Sequence, residues 1–119
     1  MPTPTGAVSR RAAAEVALAV LDQGMAADAA MAPHFSQMTE AKDRSLTRRL
    51  VHDLMRDWPM TDGLLRQLLS QPLKRRDRTV FFILAIAIAE LRLARVPPHA
   101  VVHSAVEATR LVKSPHLAK

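Results

Sequence analysis

The chain contains no cysteine. A disulfide framework, a thiolate metal site and a cysteine nucleophile are therefore impossible, and the composition suits a reducing compartment. Glycine is nearly as scarce, with three residues in 119. That disfavours hairpin-rich β folds, which need glycine in their turns, and it excludes glycine-rich phosphate loops. Tyrosine is absent, and the aromatics are Phe35, Trp58, Phe81 and Phe82. RNA-reading modules that stack bases need exposed aromatics on a platform. Phe81 and Phe82 fall in an apolar run and read as core, so any nucleic-acid binding should be dominated by phosphate contacts and shape. The longest apolar run, Val80–Ala89, is far shorter than the ~20 residues a membrane span needs. Met1–Ser9 lacks the basic start and apolar stretch of a targeting segment. A cytoplasmic protein with no membrane partner is expected. The chain has no H-E-x-x-H, G-x-S-x-G or phosphate-loop motif, and no catalytic site is read from it.

What the chain has in excess is arginine. The net charge is +6, and arginine outnumbers lysine thirteen to four. The guanidinium fork matches phosphate oxygens bidentately, so this bias leans toward a nucleic-acid partner. Hydrophobic content of 49% with 24% charged residues is that of one globular domain.

The apolar spacing is helical throughout, with no period-2 alternation and no internal repeat. Residues 1–8 read as a flexible arm, followed by a domain over 9–119. Ser9 is expected to cap a first helix at about 10–23, with Ala13, Val16, Ala17, Val20 and Leu21 on one stripe and Gly24 at its end. A short second helix at about 25–32 should stop before Pro33, leaving a loop at 33–39. A third helix, about 40–57, carries Leu46, Leu50, Val51, Leu54, Met55 and Trp58, and Pro59 ends it. Thr61 or Asp62 caps a fourth, with Leu64, Leu65, Leu68 and Leu69 on one face and Pro72 closing it. The fifth, about 76–94, is apolar nearly all round and should be the central buried helix. Pro98 suits the first turn of a sixth, whose stripe is Val101, Val102, Ala105, Val106, Thr109 and Val112. The fold class is all-α, a bundle of about six helices.

Four basic clusters stand out. Arg10 and Arg11 open the first helix. Arg44 and Arg48 share a face of the third, with Arg49 beside them. Lys74, Arg75, Arg76 and Arg78 precede and open the fifth, with Asp77 among them as an ordinary N-terminal acid. Arg92 and Arg95 close the fifth, where the helix dipole already favours cations. Cations at a helix start oppose the dipole, so helix stability does not explain Arg10, Arg11 or the 74–78 cluster, and a polyanion does. Arg10, Arg11, Arg44, Arg48, Lys74, Arg75, Arg76 and Arg78 are therefore the expected RNA-contacting residues. His99, His103 and Glu107 recur every four residues, which is metal-ligand spacing, but with no further ligand in position a structural or solvent role is expected and no metal.

The order of several pieces resembles a known family. They are Arg10-Arg11-Ala12-Ala13-Ala14, Lys42-Asp43-Arg44-Ser45-Leu46, Leu50-Val51, Pro72-Leu73-Lys74-Arg75-Arg76-Asp77-Arg78, Arg95-Val96-Pro97-Pro98-His99-Ala100-Val101-Val102-His103 and Val106-Glu107-Ala108. Over about residues 9–118 the chain is similar to the NusB-like N-terminal RNA-binding domains of bacterial 16S rRNA (cytosine-5) methyltransferases of the RsmB family. The Pro-Leu-Lys-x-x-Asp-Arg and Pro-x-His-Ala-x-Val-His pieces point to that branch rather than to the free antitermination factor NusB. The resemblance implies two packed three-helix sub-bundles and binding of 16S rRNA, with Arg10 and Arg11 matching the family's arginine-rich start. It also implies a separate methyltransferase domain that binds S-adenosylmethionine and carries the catalytic cysteines, so no cofactor is expected on this chain. The chain departs from the family at His52-Asp53, where Tyr-Gly is common, and at Ala87-Ile88-Ala89-Glu90, where Gly-Leu-Tyr-Gln is common. The family also continues past the equivalent of Ala118-Lys119 with a further helix. Without it, the groove that helix would fill should be bare and open to self-association.

Three function readings follow. The leading one is a non-catalytic rRNA-binding accessory domain that positions a methyltransferase on 16S rRNA. The alternative is a NusB-type transcription antitermination module that binds RNA and a ribosomal protein. A helix-turn-helix over 61–71 and 76–94 is disfavoured, because a second helix apolar nearly all round cannot lie in a major groove.

Overall fold

The computed structural model describes residues 5–69, 71, 73–94 and 96–113, with the backbone alone described at Thr5, Arg75 and Lys113. Six helices and no strand occur among them: α1 (Thr5–Leu21), α2 (Ala27–Gln37), α3 (Ala41–Arg56), α4 (Trp58–Leu68), α5 (Arg78–Leu93, preceded by a 3-10 turn over Arg75–Asp77) and α6 (Pro98–Lys113). None is long and apolar enough to cross a membrane. In the first half α1 packs on α2 and α3; in the second α5 packs on α4 and α6; contacts of α1 with α5 and α6, and of α3 with α5, join the halves.

The core is where the apolar spacing placed it. Ala13, Val16 and Ala17 of α1, Leu50, Val51 and Leu54 of α3, Leu65 of α4, and Phe81, Phe82, Ile83, Ala85, Ile86 and Ala89 of α5 are buried. The Trp58 and Phe82 rings stack at 5.6 Å, and Phe81 meets Phe82 edge to face at 5.3 Å. The central position is shared between α5 and α1. Ala12, Ala13, Ala14 and Ala17 give α1 a surface with little side chain, so neighbouring backbones approach it closely. Gly6 extends that surface, since a Cβ there would come within 2.9 Å of an Arg10 nitrogen and 3.6 Å of the Ser104 hydroxyl.

The helix ends depart from expectation in three places. First, α1 begins at Thr5, so residues 5–8 are helix rather than arm, and residues 1–4 lie outside the described part. Ser9 is inside α1 and fully buried, its hydroxyl donating to the Asp43 carbonyl of α3 at 3.4 Å instead of capping its own helix. Second, α2 runs through Pro33. Pro33 is exposed, so the carbonyl deprived of its partner can turn to water, and the proline's fixed φ already fits a helix. Third, Pro59 lies in the first turn of α4, where its missing N–H is no loss. It marks the start of α4 at Trp58, with Asp57 in the cap position expected at Thr61 or Asp62. The end of α5 falls where expected, on Ala94, which lies in the left-handed region with φ 54°. A non-glycine residue there costs about 1–2 kcal/mol. The closing proline expected for the fourth helix, Pro72, lies outside the described residues.

Two expected stripes are only partly covered. Leu68 of α4 is 71% exposed, and Leu91 of α5 and Val102 and Val106 of α6 are also exposed. These four side chains surround one groove.

Candidate nucleic-acid interface

The two arginines that open the chain's basic pattern have different surroundings. Arg10 is buried and locked into α5: its Nε donates to Glu90 Oε1 at 2.9 Å and its Nη2 to Oε2 at 2.6 Å. Its Nη1 donates to the Gly6 carbonyl at 3.1 Å. A guanidinium so enclosed offers nothing to a phosphate, and its geometry is that of a core ion pair. Arg11 is half-buried, and its Nε is buried without a hydrogen-bond partner among the described residues.

The 74–78 segment is divided in the same manner. Arg78 grips Asp22 at the end of α1 with two bonds, 2.9 and 3.0 Å, and lies 4.3 Å over the Phe81 ring. It fastens the start of α5 to the end of α1. Leu73 packs on the core, and together with Leu18, Leu21, Asp22, Gln23 and Arg78 it lines a cleft there. Lys74 and Arg76 are exposed; Arg76 Nε is 3.9 Å from Asp77 Oδ2. The Arg75 side chain lies outside the described residues. Arg10 and Arg78 sit toward opposite ends of α5, since Glu90 and Arg78 are separated by about 18 Å of helix. The α1 start and the 74–78 cluster therefore do not form one local site.

On α3, Arg44 is half-buried and donates to the Met38 carbonyl. Arg48 is exposed and stacks over Phe35 of α2, 4.9 Å from the ring centre. Arg49 and Arg56 are exposed, and no ion pair joins either to a carboxylate among the described residues. Elsewhere arginines have acid partners. Arg66 pairs with Asp62, Arg110 with Glu107, and Arg92 with Asp57. The Arg92 guanidinium hydrogen-bonded to Asp57 holds that carboxyl below the usual carboxylate range, with the Thr61 hydroxyl helping and partial burial opposing. Arg95 lies outside the described residues.

Sequence spacing alone did not separate these roles. The partner of Arg10 is 80 residues away, and that of Arg78 is 56 residues away. The position of Phe35 outside the aromatic core, and the extension of the basic face to Arg56, were also missed. The available signal for the latter was the four-residue spacing that continues from Arg48 through His52.

No group of three or more His, Asp or Glu side chains is gathered to hold a metal among the described residues. His99 and His103 are exposed, and Glu107 accepts from Arg110 at 2.9 Å. The groove noted above has a volume of about 550 Å3. Its floor is Leu84, Ala87, Ile88 and Leu91 of α5, one helical stripe, and its walls are α4 and α6.

Comparison with known proteins agrees with this architecture. The chain is 34% identical over 108 residues to the ribosomal RNA small subunit methyltransferase B of Pectobacterium carotovorum, covering 91% of this chain and 25% of that one. It is 37% identical over 103 residues to the protein of the same name from Sodalis glossinidius, covering 87% and 24%. Against the one from Xanthomonas campestris it is 34% identical over 113 residues, covering 95% and 26%. The chain thus spans about a quarter of the length of the curated relatives it matches. The NusB family model matches residues 7–119, and the chain belongs to the NusB family.

Proposed function

We propose that this NusB-family domain is an RNA-binding accessory module of an rRNA (cytosine-5) methyltransferase and holds that enzyme on 16S rRNA through contacts to phosphate. The observation that carries the reading is the set of arginines without a carboxylate partner among the described residues, on a domain whose relatives are named as rRNA methyltransferases. Phosphate contacts fix position and orientation without reading sequence, as an accessory domain requires. Of the residues expected to bind RNA, Arg48, Lys74 and Arg76 are exposed and Arg11 and Arg44 half-buried, and this exposure supports their assignment to the contact surface. Arg10 and Arg78 support the reading only indirectly, by holding α1 against α5. The domain contributes no catalytic group in this reading. S-adenosylmethionine and the methyl transfer belong to a methyltransferase domain of the same parent protein.

The groove between α4 and α6 adds a second contact surface. Its exposed leucines and valines make self-association through this face the expected behaviour of the isolated chain at high concentration. Sedimentation showing a clean monomer there would remove that part.

A salt titration of binding to a 16S rRNA fragment, beside duplex DNA of equal charge, tests the main reading. Tight binding that favours the rRNA and falls steeply with salt is expected. Equal, weak binding to both would mean a merely basic surface. Tight binding of a ribosomal protein would favour the antitermination role instead.

A further inference from the structure

Helix α3 carries Arg44, Arg48, His52 and Arg56 at intervals of four residues. Four-residue steps form one ridge along a helix surface, and this one is about 18 Å long. Arg49 stands beside it. Arg48, Arg49, His52 and Arg56 are exposed. The α3 acids, Asp43 and Asp53, are half-buried and fall off the ridge. Elsewhere on the molecule Arg66 and Arg110 show the ordinary arrangement of a solvated helix face, each pairing with an acid one turn away. Like charges four apart weaken a helix, and a cation in the first turn, as Arg44 is, opposes the dipole. The Arg44–Arg48 pair therefore works against the stability of α3, offset in part by the bond from Arg44 to the Met38 carbonyl and the stack of Arg48 on Phe35, whereas Arg56 in the last turn suits the dipole.

The Arg48 guanidinium is held over the Phe35 ring. Phe35 is half-buried at the end of α2, whereas Trp58, Phe81 and Phe82 are engaged with one another. Since Arg48 is exposed, the face of its guanidinium away from Phe35 is open to a planar ligand. A guanidinium fixed in this way is a stacking surface for an unpaired base. The side chains four residues apart along the ridge are also spaced on the scale of successive phosphates of one strand.

We propose that the outer face of α3 is a track for a short single-stranded RNA segment, with backbone phosphates on Arg44, Arg49 and Arg56 and one base stacked on Arg48. His52, between them, donates a hydrogen bond to the same strand. The inference rests on the RNA-binding reading and deepens it: it names the face, adds Arg49, His52 and Arg56, and specifies an unpaired strand. Lys74 and Arg76 are then an outlying contact.

The test uses the full 119-residue chain with a short unstructured RNA oligonucleotide and an RNA duplex of equal phosphate number, titrated with salt by fluorescence anisotropy. Arg49→Ala/Arg56→Ala is expected to weaken single-strand binding at least about tenfold and to lower the log–log salt slope by about 1.4, at ~0.7 per lost phosphate contact. Phe35→Leu and Arg48→Ala should each weaken it by about tenfold, the effect of losing one stacked base, and Phe35→Leu should leave the salt slope unchanged. Thermal melts accompany each variant, so that a loss of fold is not read as a loss of contact. If these variants bind as the parent does while Lys74→Ala/Arg76→Ala loses the slope, the α3 track is wrong and RNA binding stands. Equal loss on duplex and single strand overturns the single-strand assignment. No binding by the unsubstituted chain at low salt overturns both this inference and the function it rests on.

Discussion

Arg10 and Arg49 are the same residue type on two well-formed helices, and the molecule uses them oppositely. Arg10 lies in the core, where a carboxylate from another helix accepts two of its bonds and a backbone carbonyl a third. Arg49 stands on the outer face of α3 with no acid partner among the described residues. The difference teaches that an arginine cluster in a sequence reports total charge and not available charge. A cation becomes available to a ligand when no acid is folded against it, and the acids that decide this come from distant parts of the chain.

That contrast can be broken most forcefully at Glu90. Glu90→Ala leaves the buried Arg10 cation uncompensated and is expected to cost about 3–5 kcal/mol in urea unfolding. The double variant Arg10→Met/Glu90→Leu should recover most of that loss, because a packed apolar pair can replace a buried ion pair. It should also bind RNA as the parent does. Reduced RNA affinity in that stable double variant would return Arg10 to the interface.

A middle case is Arg78, which is partly exposed and yet doubly engaged. Arg78→Ala should cost about 1–2 kcal/mol, from an exposed ion pair and a cation–π contact together. Its effect on the RNA salt slope should be negligible. Substitutions on the α3 ridge invert the pattern: Arg49→Ala and Arg56→Ala should change stability by less than about 0.5 kcal/mol while weakening RNA binding.

The smallest effect concerns acid. Asp57 has a folded-state pKa lowered by its bond from Arg92. A lowered carboxyl pKa stabilises the fold above the unfolded-state value, and this contribution fades as pH falls through the folded-state value. Stability should therefore decline on acidification in that range, and Asp57→Asn should lose part of the decline. Urea midpoints measured between neutral and acid pH would show it.

The helical class and most of the core were legible because both depend on local spacing. Leu50, Val51, Leu54 and Phe82 could be placed from periodicity alone. Helix ends were less legible, since Pro33 and Pro59 can equally stop a helix, sit within one or start one, and exposure decides which. The open side of α5 could not be read from a run apolar nearly all round, because periodicity does not say which face lacks a neighbour. Arg44 and Arg48 were recognised as a shared face, but the ridge was read too short. The fates of Arg10 and Arg78 depended on Glu90 and Asp22, which no local pattern connects to them.

The bond between Arg10 and Glu90 also bears on the order in which the molecule can assemble. Among the six helices α1 is made before the others, yet it packs on α5 and α6, which are made after them. Its alanine-rich surface has no complete set of neighbours until α6 has emerged. Joining residues so far apart requires a large loss of chain entropy before any contact repays it. The earliest of these six helices is therefore among the last to be secured, and folding of the domain during synthesis should stay incomplete until α6 is free to dock.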